Sequence, residues 1–378
     1  MKQALLAAVI AVSVGLVSAA TASADVGQPR TGTPDRYDRD ASVVTDTTGV
    51  TYLYFARSQD PCNRLALPLP LNPVCPDQVA YDMYVKRSTD GGQDFGPAVK
   101  AAQNPVSVGP LFRGRTIAAT ATPAGVHVFW ADGGNSTQLY HAFKPNGQDT
   151  FDAPPQPMGD IPADVFNVEA VSIGTEVFVY TQEAPNINAR QYHDNGAGQL
   201  ALAQGPVPVS TSGKAIPKAI VDVHGGCRMT YVDDSTYPDV RVFVNSSGDC
   251  LNYGGEVPVV TQPGSNWDPD LIQKPNGQYY LFFAPDHTAA GVQQQIAVTK
   301  SNDFVTWETP HDLTPGQQGG TQYWDYWPEG FVRNNQIVLF YTSERRINQD
   351  GASAPTGVGH IWTDPGFGGL DHQPPAGR

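Results

Sequence analysis

One pattern returns six times along this chain of 378 residues and limits what it can fold into. Each copy has an apolar strand opening on a charged residue, a Gly or Asn turn, and a second strand rich in aromatics. The second strands are residues 50–56, 126–130, 177–180, 227–232, 279–283 and 337–341. A turn signal precedes each one: Thr48-Gly49, Ala124-Gly125, Gly174, Gly225-Gly226, Asn276-Gly277 and Asn334-Asn335. Repeated β-hairpins at a period near fifty predict an all-β chain, a β-propeller with one blade per repeat. Six blades are expected, with five as the alternative. Such a fold brings the start of every innermost strand to one axis, so residues distant in sequence can share a site.

The first 24 residues are read as a secretory signal peptide and residues 25–378 as a single propeller domain. Lys2 precedes the apolar run 4–19, and Ala22-Ser23-Ala24 supplies an A-x-A cleavage signal before Asp25. The run is short for a membrane span, and no other stretch is long and apolar enough. A secreted protein, extracellular or held in the cell envelope, is therefore expected. Its net charge of −14 argues against nucleic acid and anionic membranes as partners, because both reward basic surfaces. In an exported chain, four cysteines predict two disulfides. Pairing Cys62 with Cys75 and Cys227 with Cys250 closes two local loops. Nothing in the spacing calls for association, so a monomer is expected.

The third strands run into turn chemistry of their own. Residues Ser88-Thr-Asp90-Gly-Gly-Gln-Asp-Phe95 and Ser301-Asn-Asp303-Phe-Val-Thr-Trp307 resemble the Asp-box of sialidases and related propellers. In that motif an Asp caps a tight hairpin and an aromatic packs beneath it. Such a device supports the fold and says little about substrate.

The openings of the first strands carry the chemistry: Arg39-Asp40, Arg113-Gly-Arg115, Asn167-Val-Glu169, Lys218, Asp268-Pro-Asp270 and Pro328-Glu329. On a propeller, Asp40, Arg115, Glu169, Lys218, Asp270 and Glu329 are expected to ring one mouth of the channel. Charges gathered at a buried axis cost several kcal/mol each unless they are paired or used. The same mouth is rich in aromatics. Trp267 precedes Asp268, and Tyr323-Trp324-Asp325-Tyr326-Trp327 precedes Glu329. Indole and phenol rings suit the apolar faces of sugars.

Three stretches resemble family 43 and related glycoside hydrolases. Residues Asp268-Pro-Asp270-Leu-Ile followed by Gly277-Gln-Tyr-Tyr-Leu-Phe-Phe283 are similar to their D-P-x-(L/I)…G-x-Y-Y-L-F-Y segment. Trp327-Pro-Glu329-Gly-Phe331 resembles the segment bearing the general acid, and Arg39-Asp40-Ala-Ser42 the segment bearing the general base. The resemblance implies a glycoside hydrolase, with Asp40 as base, Glu329 as acid and Asp270 as the carboxylate that tunes it. Asp268 is the alternative to Asp270. Arg39, Arg115, Glu169, Trp267, Asp268, Trp324 and Trp327 are then expected to contact the sugar. The family implies an arabinose-containing or related polysaccharide and an inverting mechanism, in which one carboxylate activates water and the other protonates the leaving oxygen. No cofactor is required and no metal ligand is assigned, although calcium would suit carboxylate oxygens.

Two other readings stand beside it. A sialidase would grip the substrate carboxylate with Arg39, Arg115 and Arg345 and attack through Tyr323 or Tyr326. A non-catalytic carbohydrate-binding propeller would use the same aromatics and charges without turnover.

Overall fold

In the computed structural model, the described residues are 28–29, 38–58, 81–92, 94–101, 117–132, 138–259, 264–286, 295–314, 317–318, 321–322, 325–343 and 360–364. Residues 1–24, the Cys62–Cys75 pair, Arg115 and Trp324 lie outside them. Strand β1 (Gln28–Pro29) comes first. Blade 1 is β2 (Asp38–Thr45), β3 (Thr51–Ser58), β4 (Tyr81–Ser88) and β5 (Val99–Lys100). Blade 2 is β6 (Ile117–Ala121), β7 (Gly125–Asp132), β8 (Gln138–Pro145) and β9 (Gln156–Pro157). Blade 3 is β10 (Val165–Ile173), β11 (Glu176–Glu183), β12 (Asn186–Asp194) and β13 (Leu200–Pro208). Blade 4 is β14 (Lys214–Val221), β15 (Cys227–Asp233), β16 (Arg241–Ser247) and β17 (Val257–Pro258). Blade 5 is β18 (Ser265–Gln273), β19 (Tyr279–Asp286), β20 (Ala297–Ser301) and β21 (His311–Asp312). A two-stranded ribbon, β22 (Gln317–Gln318) with β23 (Thr321–Gln322), leads into β24 (Asp325–Arg333), β25 (Gln336–Ser343) and β26 (His360–Asp364).

The strands form six four-stranded antiparallel sheets besides the ribbon. Innermost strands β2, β6, β10, β14, β18 and β24 neighbour one another in turn, and β24 returns to β2 to close a ring. In the last sheet the order is β24-β25-β26-β1, with Gln28 opposite Thr363. The N-terminal strand thus completes the final blade, tying the two ends of the propeller together.

Local sequence explains the blades. Each second strand has a neighbour on either side and a blade on either face, so it reads as a continuous apolar run rather than an alternating one. In β19, Tyr279 through Pro285 are all buried. The sheets end in two-residue outer strands, or in β13 with its mostly exposed residues, which limits edge pairing with other chains. Hairpin turns are capped by side chains. Asp46 Oδ1 accepts from Thr48 N (3.0 Å) and Val50 N (3.1 Å), while Gly49 takes the left-handed conformation (φ 85°). Asp222 repeats the arrangement, accepting from His224 N at 2.8 Å and Gly226 N at 3.0 Å. After the third strands, Ser88, Ser247 and Ser301 each donate to an Asp two residues on. Of these, Asp303 accepts further bonds from Val305 N and Thr306 N.

The apolar core lies between blades. Phe178 and Tyr180 of blade 3 meet Met229 and Tyr231 of blade 4, whose other face packs Val232 and Val242 against Leu281 and Phe283. The Cys227–Cys250 disulfide closes a span of 23 residues within blade 4, and both cysteines are buried. Among the described residues no helix is long and apolar enough to cross a membrane.

A polar cluster joins blades 2 and 3. His127 Nδ1 lies 2.9 Å from His141 Nε2, and His127 Nε2 lies 3.2 Å from Asp194 Oδ2. Thr122 Oγ1 donates to the same carboxylate at 2.7 Å. His127 and Asp194 are buried. Burial lowers the His127 pKa against the pull of Asp194. Burial and then the neighbouring His127 ring push His141 down to about 3. Burial works to raise the Asp194 pKa, but the bonds from Thr122, Gly196 N and His127 outweigh it and hold it below the ordinary carboxylate value. Asp194 is therefore the ionised member, and both rings are neutral at pH 7.

Candidate active site at the propeller axis

The innermost strands share one irregularity. Near its start each of β2, β10, β14, β18 and β24 carries a bulge, two residues facing one on the second strand. In four of them the first bulge residue has positive φ: Asp40 (53°), Ile216 (56°), Asp268 (51°) and Trp327 (52°). Three of these precede a proline, Pro217, Pro269 or Pro328, which lacks the N–H that a bulge leaves unused. Left-handed conformation is costly for a residue with a side chain, most of all for β-branched Ile216, and such strain collects at functional sites.

The bulge fixes which residue faces the axis. Directly after it stand Lys218, Asp270 and Glu329; the equivalent is Ser42 in β2 and Val168 in β10, where Glu169 stands one residue further on. Asp40 therefore sits on the bulge, in register with Asp268 and Trp327 and two residues ahead of the ring. Three matching bonds tie successive blades together. Glu329 Oε1 accepts from Val43 N at 3.1 Å, Asp270 Oδ2 accepts from Gly330 N, and Ser42 Oγ accepts from Ala119 N at 3.1 Å. By the same pattern Ala118 holds the ring position in β6. Gly330 is required there, since a Cβ would lie 2.7 Å from Ile272 Cγ2.

Lys218 stands at the centre. Its Nζ donates to Glu329 Oε2 at 2.6 Å and lies 3.2 Å from Glu169 Oε2 and 3.4 Å from Asp270 Oδ1. Glu169 Oε1 accepts from Ala170 N at 3.0 Å. Each carboxylate thus places one oxygen on a strand N–H and turns the other toward a single ammonium. All four side chains are buried. Three carboxylates from three blades thus meet at one lysine.

Beside it, Arg39 Nε lies 3.4 Å from Asp40 Oδ2, and the guanidinium sits 4.3 Å from the centroid of Trp327. Tyr326 meets the Trp327 ring edge-on at 4.5 Å. Trp267 is half-buried against the core between blades 4 and 5, and Asp268 is buried at its bulge. Of the residues singled out in the sequence, the axis brings together Glu169, Asp270 and Glu329, while Arg39, Asp40 and Trp327 form an adjoining group. Lys218 was expected in the ring but given no catalytic or sugar-binding role, and Ser42 was not expected there. The signal for both was the Pro-x step: Pro217-Lys218, Pro269-Asp270 and Pro328-Glu329 align with Ala41-Ser42. Among the described residues no group of three or more His, Cys, Asp or Glu side chains is arranged to hold a metal ion.

No family model and no curated protein matches this chain. Solved structures do. A Dyadobacter fermentans protein of unknown function aligns with a TM-score of 0.61 at 12% identity, covering 89% of this chain and 96% of that one. Penicillium chrysogenum α-L-arabinanase, solved with arabinobiose, aligns with a TM-score of 0.53 at 11% identity over 89% and 96% of the two chains. The Hadza microbial sialidase Hz136 gives a TM-score of 0.53 at 15% identity, over 86% of this chain and 65% of the sialidase. These likenesses concern the fold: the chain is a β-propeller similar to those of an arabinanase and of sialidases.

Proposed function

We propose that this chain is a secreted glycoside hydrolase that cleaves glycosidic bonds at the mouth of the propeller axis. The observation that carries the reading is the convergence of Glu169, Asp270 and Glu329, from three blades, on one point at Lys218 Nζ. Asp40 acts as base toward water, Glu329 as acid toward the leaving oxygen, and Asp270 biases Glu329. Arg39, Arg115, Glu169, Trp267, Asp268, Trp324 and Trp327 contact the sugar. The arabinanase likeness favours an arabinose-containing or related polysaccharide, taken by a monomer, with no cofactor needed; if any metal serves the site, calcium is the ion its carboxylates suit. In the sugar-free geometry both Glu329 oxygens accept hydrogen bonds. Protonating a leaving group therefore requires Oε2 to exchange Lys218 for the glycosidic oxygen, a rearrangement of the kind that substrate binding brings.

The test is release of sugar from aryl glycosides and from arabinose-, xylose- and sialate-containing polymers, by wild type, Glu329→Gln and Asp40→Asn. Turnover by wild type, reduced by roughly a hundredfold or more in both variants, is expected. Undiminished turnover in either variant refutes the role given to it. One observation favours a second reading, the non-catalytic carbohydrate-binding propeller: each axial carboxylate already has one oxygen on a strand N–H and the other at Lys218 Nζ. Glycan binding without turnover by a folded wild type would establish it. The sialidase reading draws less support, since Arg39 is stacked on Trp327 and paired with Asp40.

A further inference from the structure

The pentapeptide Lys-Pro-Asn-Gly-Gln occurs twice in this chain, at 144–148 and at 274–278, and the fold gives the two copies different turns. In blade 5 the copy joins the first two strands. Gly277 N donates to Lys274 O at 2.9 Å, and Asn276 Oδ1 accepts from Gln278 N at 3.1 Å. In blade 2 the copy follows the third strand and the turn is moved on by one residue, so that Gln148 N donates to Pro145 O at 3.2 Å. Gly147 then takes the third place of the turn with φ 76°, and its N–H meets no acceptor among the described residues. The chain has one more Asn-Gly step, Asn195-Gly196, where Gly196 N donates to Asp194 Oδ1 at 2.9 Å.

A backbone nitrogen that follows asparagine can attack the side-chain amide carbon, and glycine hinders this least because it has no Cβ. We propose that Asn146 is a site of spontaneous covalent modification, converted in the folded protein to aspartate and isoaspartate ahead of Asn195 and Asn276. Gly147 N gives up its proton and bonds to Asn146 Cγ, while the Cγ–Nδ2 bond breaks and Nδ2 leaves as ammonia. Water then opens the cyclic imide at either carbonyl, giving aspartate or isoaspartate. Exposure alone would set the opposite order, since Asn195 and Asn276 are exposed and Asn146 is half-buried. What differs is the nucleophile. At Gly277 and Gly196 the N–H must first leave a hydrogen bond, and at Gly147 it need not.

The reacting side chain is also a tie. Asn146 Nδ2 donates to Thr47 Oγ1 at 2.9 Å and to Pro123 O at 2.8 Å, joining the turn to the first hairpins of blades 1 and 2. Conversion puts an oxygen in place of that NH2 group. The Thr47 hydroxyl can turn to donate to it, but the Pro123 carbonyl has no proton to give. Modification therefore releases the bond to Pro123 and loosens the join between the two blades.

The test ages the full chain at mildly alkaline pH, folded and in urea, and maps residues 146, 195 and 276 by the mass gained in amide-to-acid conversion. In urea the two identical pentapeptides should convert alike. In the folded protein Asn146 should lead Asn276 by roughly fivefold, the worth of one backbone hydrogen bond. Gly147→Ala, whose new Cβ meets nothing within 4 Å, should slow conversion at Asn146 and leave Asn276 unchanged. Asn146→Asp should reproduce the lowered urea midpoint of the aged protein. Product appearing first or equally at Asn195 or Asn276 in the folded protein overturns the proposal. So does a folded sample unchanged at Asn146 once the urea sample has reacted. An Asn146→Asp protein with the wild-type midpoint overturns the consequence drawn for the blade junction.

Discussion

The His127–His141–Asp194 cluster should make the clasp between blades 2 and 3 sensitive to acid, and the size of the effect follows from His141. In the unfolded chain an imidazole titrates near 6.5, whereas in the folded protein burial and the neighbouring His127 ring bring His141 down to about 3. Between those values the unfolded chain binds a proton that the folded one refuses. The stability this ring confers is complete above pH 6.5 and is lost progressively as pH falls toward 3. From pH 7 to 4.5 the loss is about 2.5 kcal/mol, less what solvent at the exposed edge of the ring returns. The groups facing the pair are Asp194 and Asp152, which favour the charged form, with Thr122 and Phe143 completing the wall. In His141→Gln an amide replaces the imidazole, so the bond to His127 Nδ1 can persist while the titration disappears. Urea unfolding of both proteins at pH 7 and pH 4.5 cancels every carboxylate and His127 itself. Wild type should lose about 2 kcal/mol more than the variant over that interval. Parallel losses, within the uncertainty of the extrapolation, would show that His141 does not hold off its proton.

Two further outcomes concern the frame around the site. Replacing Cys227 and Cys250 by serine opens a loop whose ends are 23 residues apart; a loss of about 3 kcal/mol in denaturant unfolding is expected, and an unchanged midpoint would contradict the constraint assigned to it. In Gly330→Ala the new methyl meets Ile272 Cγ2 at 2.7 Å and Asp270 Oδ2 at 3.1 Å. That should cost about 1–3 kcal/mol and lower turnover through the displaced Asp270, whereas wild-type stability and turnover together would remove Gly330 from the tie.

What was legible in the sequence follows from where burial is two-sided. The second strands announced themselves because Tyr279 to Phe283 or Val177 to Tyr180 must be apolar on both faces, and six such runs predict six sheets. Which strand closes the ring was not legible; Gln28–Pro29 does so by pairing with β26. The ring was legible in Glu169, Lys218, Asp270 and Glu329, whose spacing follows the repeat. It was misjudged in the first blade. Counting charged residues leads to Asp40, but a bulge inserts one extra residue and shifts what faces the axis. The prolines at 217, 269 and 328 mark the bulges, and blade 1 has Ala41 in that place, so its register carries no such mark. His127 and Asp194 come together only because blades 2 and 3 adjoin, and nothing in either strand announces the partner.

The corrected register bears on function. The four charges that meet at Lys218 come from four consecutive blades, the third to the sixth, although the residue directly after the bulge is Val168 in the third; the corresponding position holds Ser42 in the first blade and Ala118 in the second. A propeller used as a symmetrical scaffold has no reason to gather its charges on one side. One that repeats a lectin site would place equivalent groups in every blade. Crowding three carboxylates onto one lysine instead costs desolvation of four charges, which ion pairing at 2.6 to 3.4 Å and three backbone N–H groups have to offset. Blades built on common bulges and common inter-blade bonds hold with a serine at this position as well as with a glutamate, since Ser42 makes the same tie as Glu329. Closing the ring therefore does not require the acids.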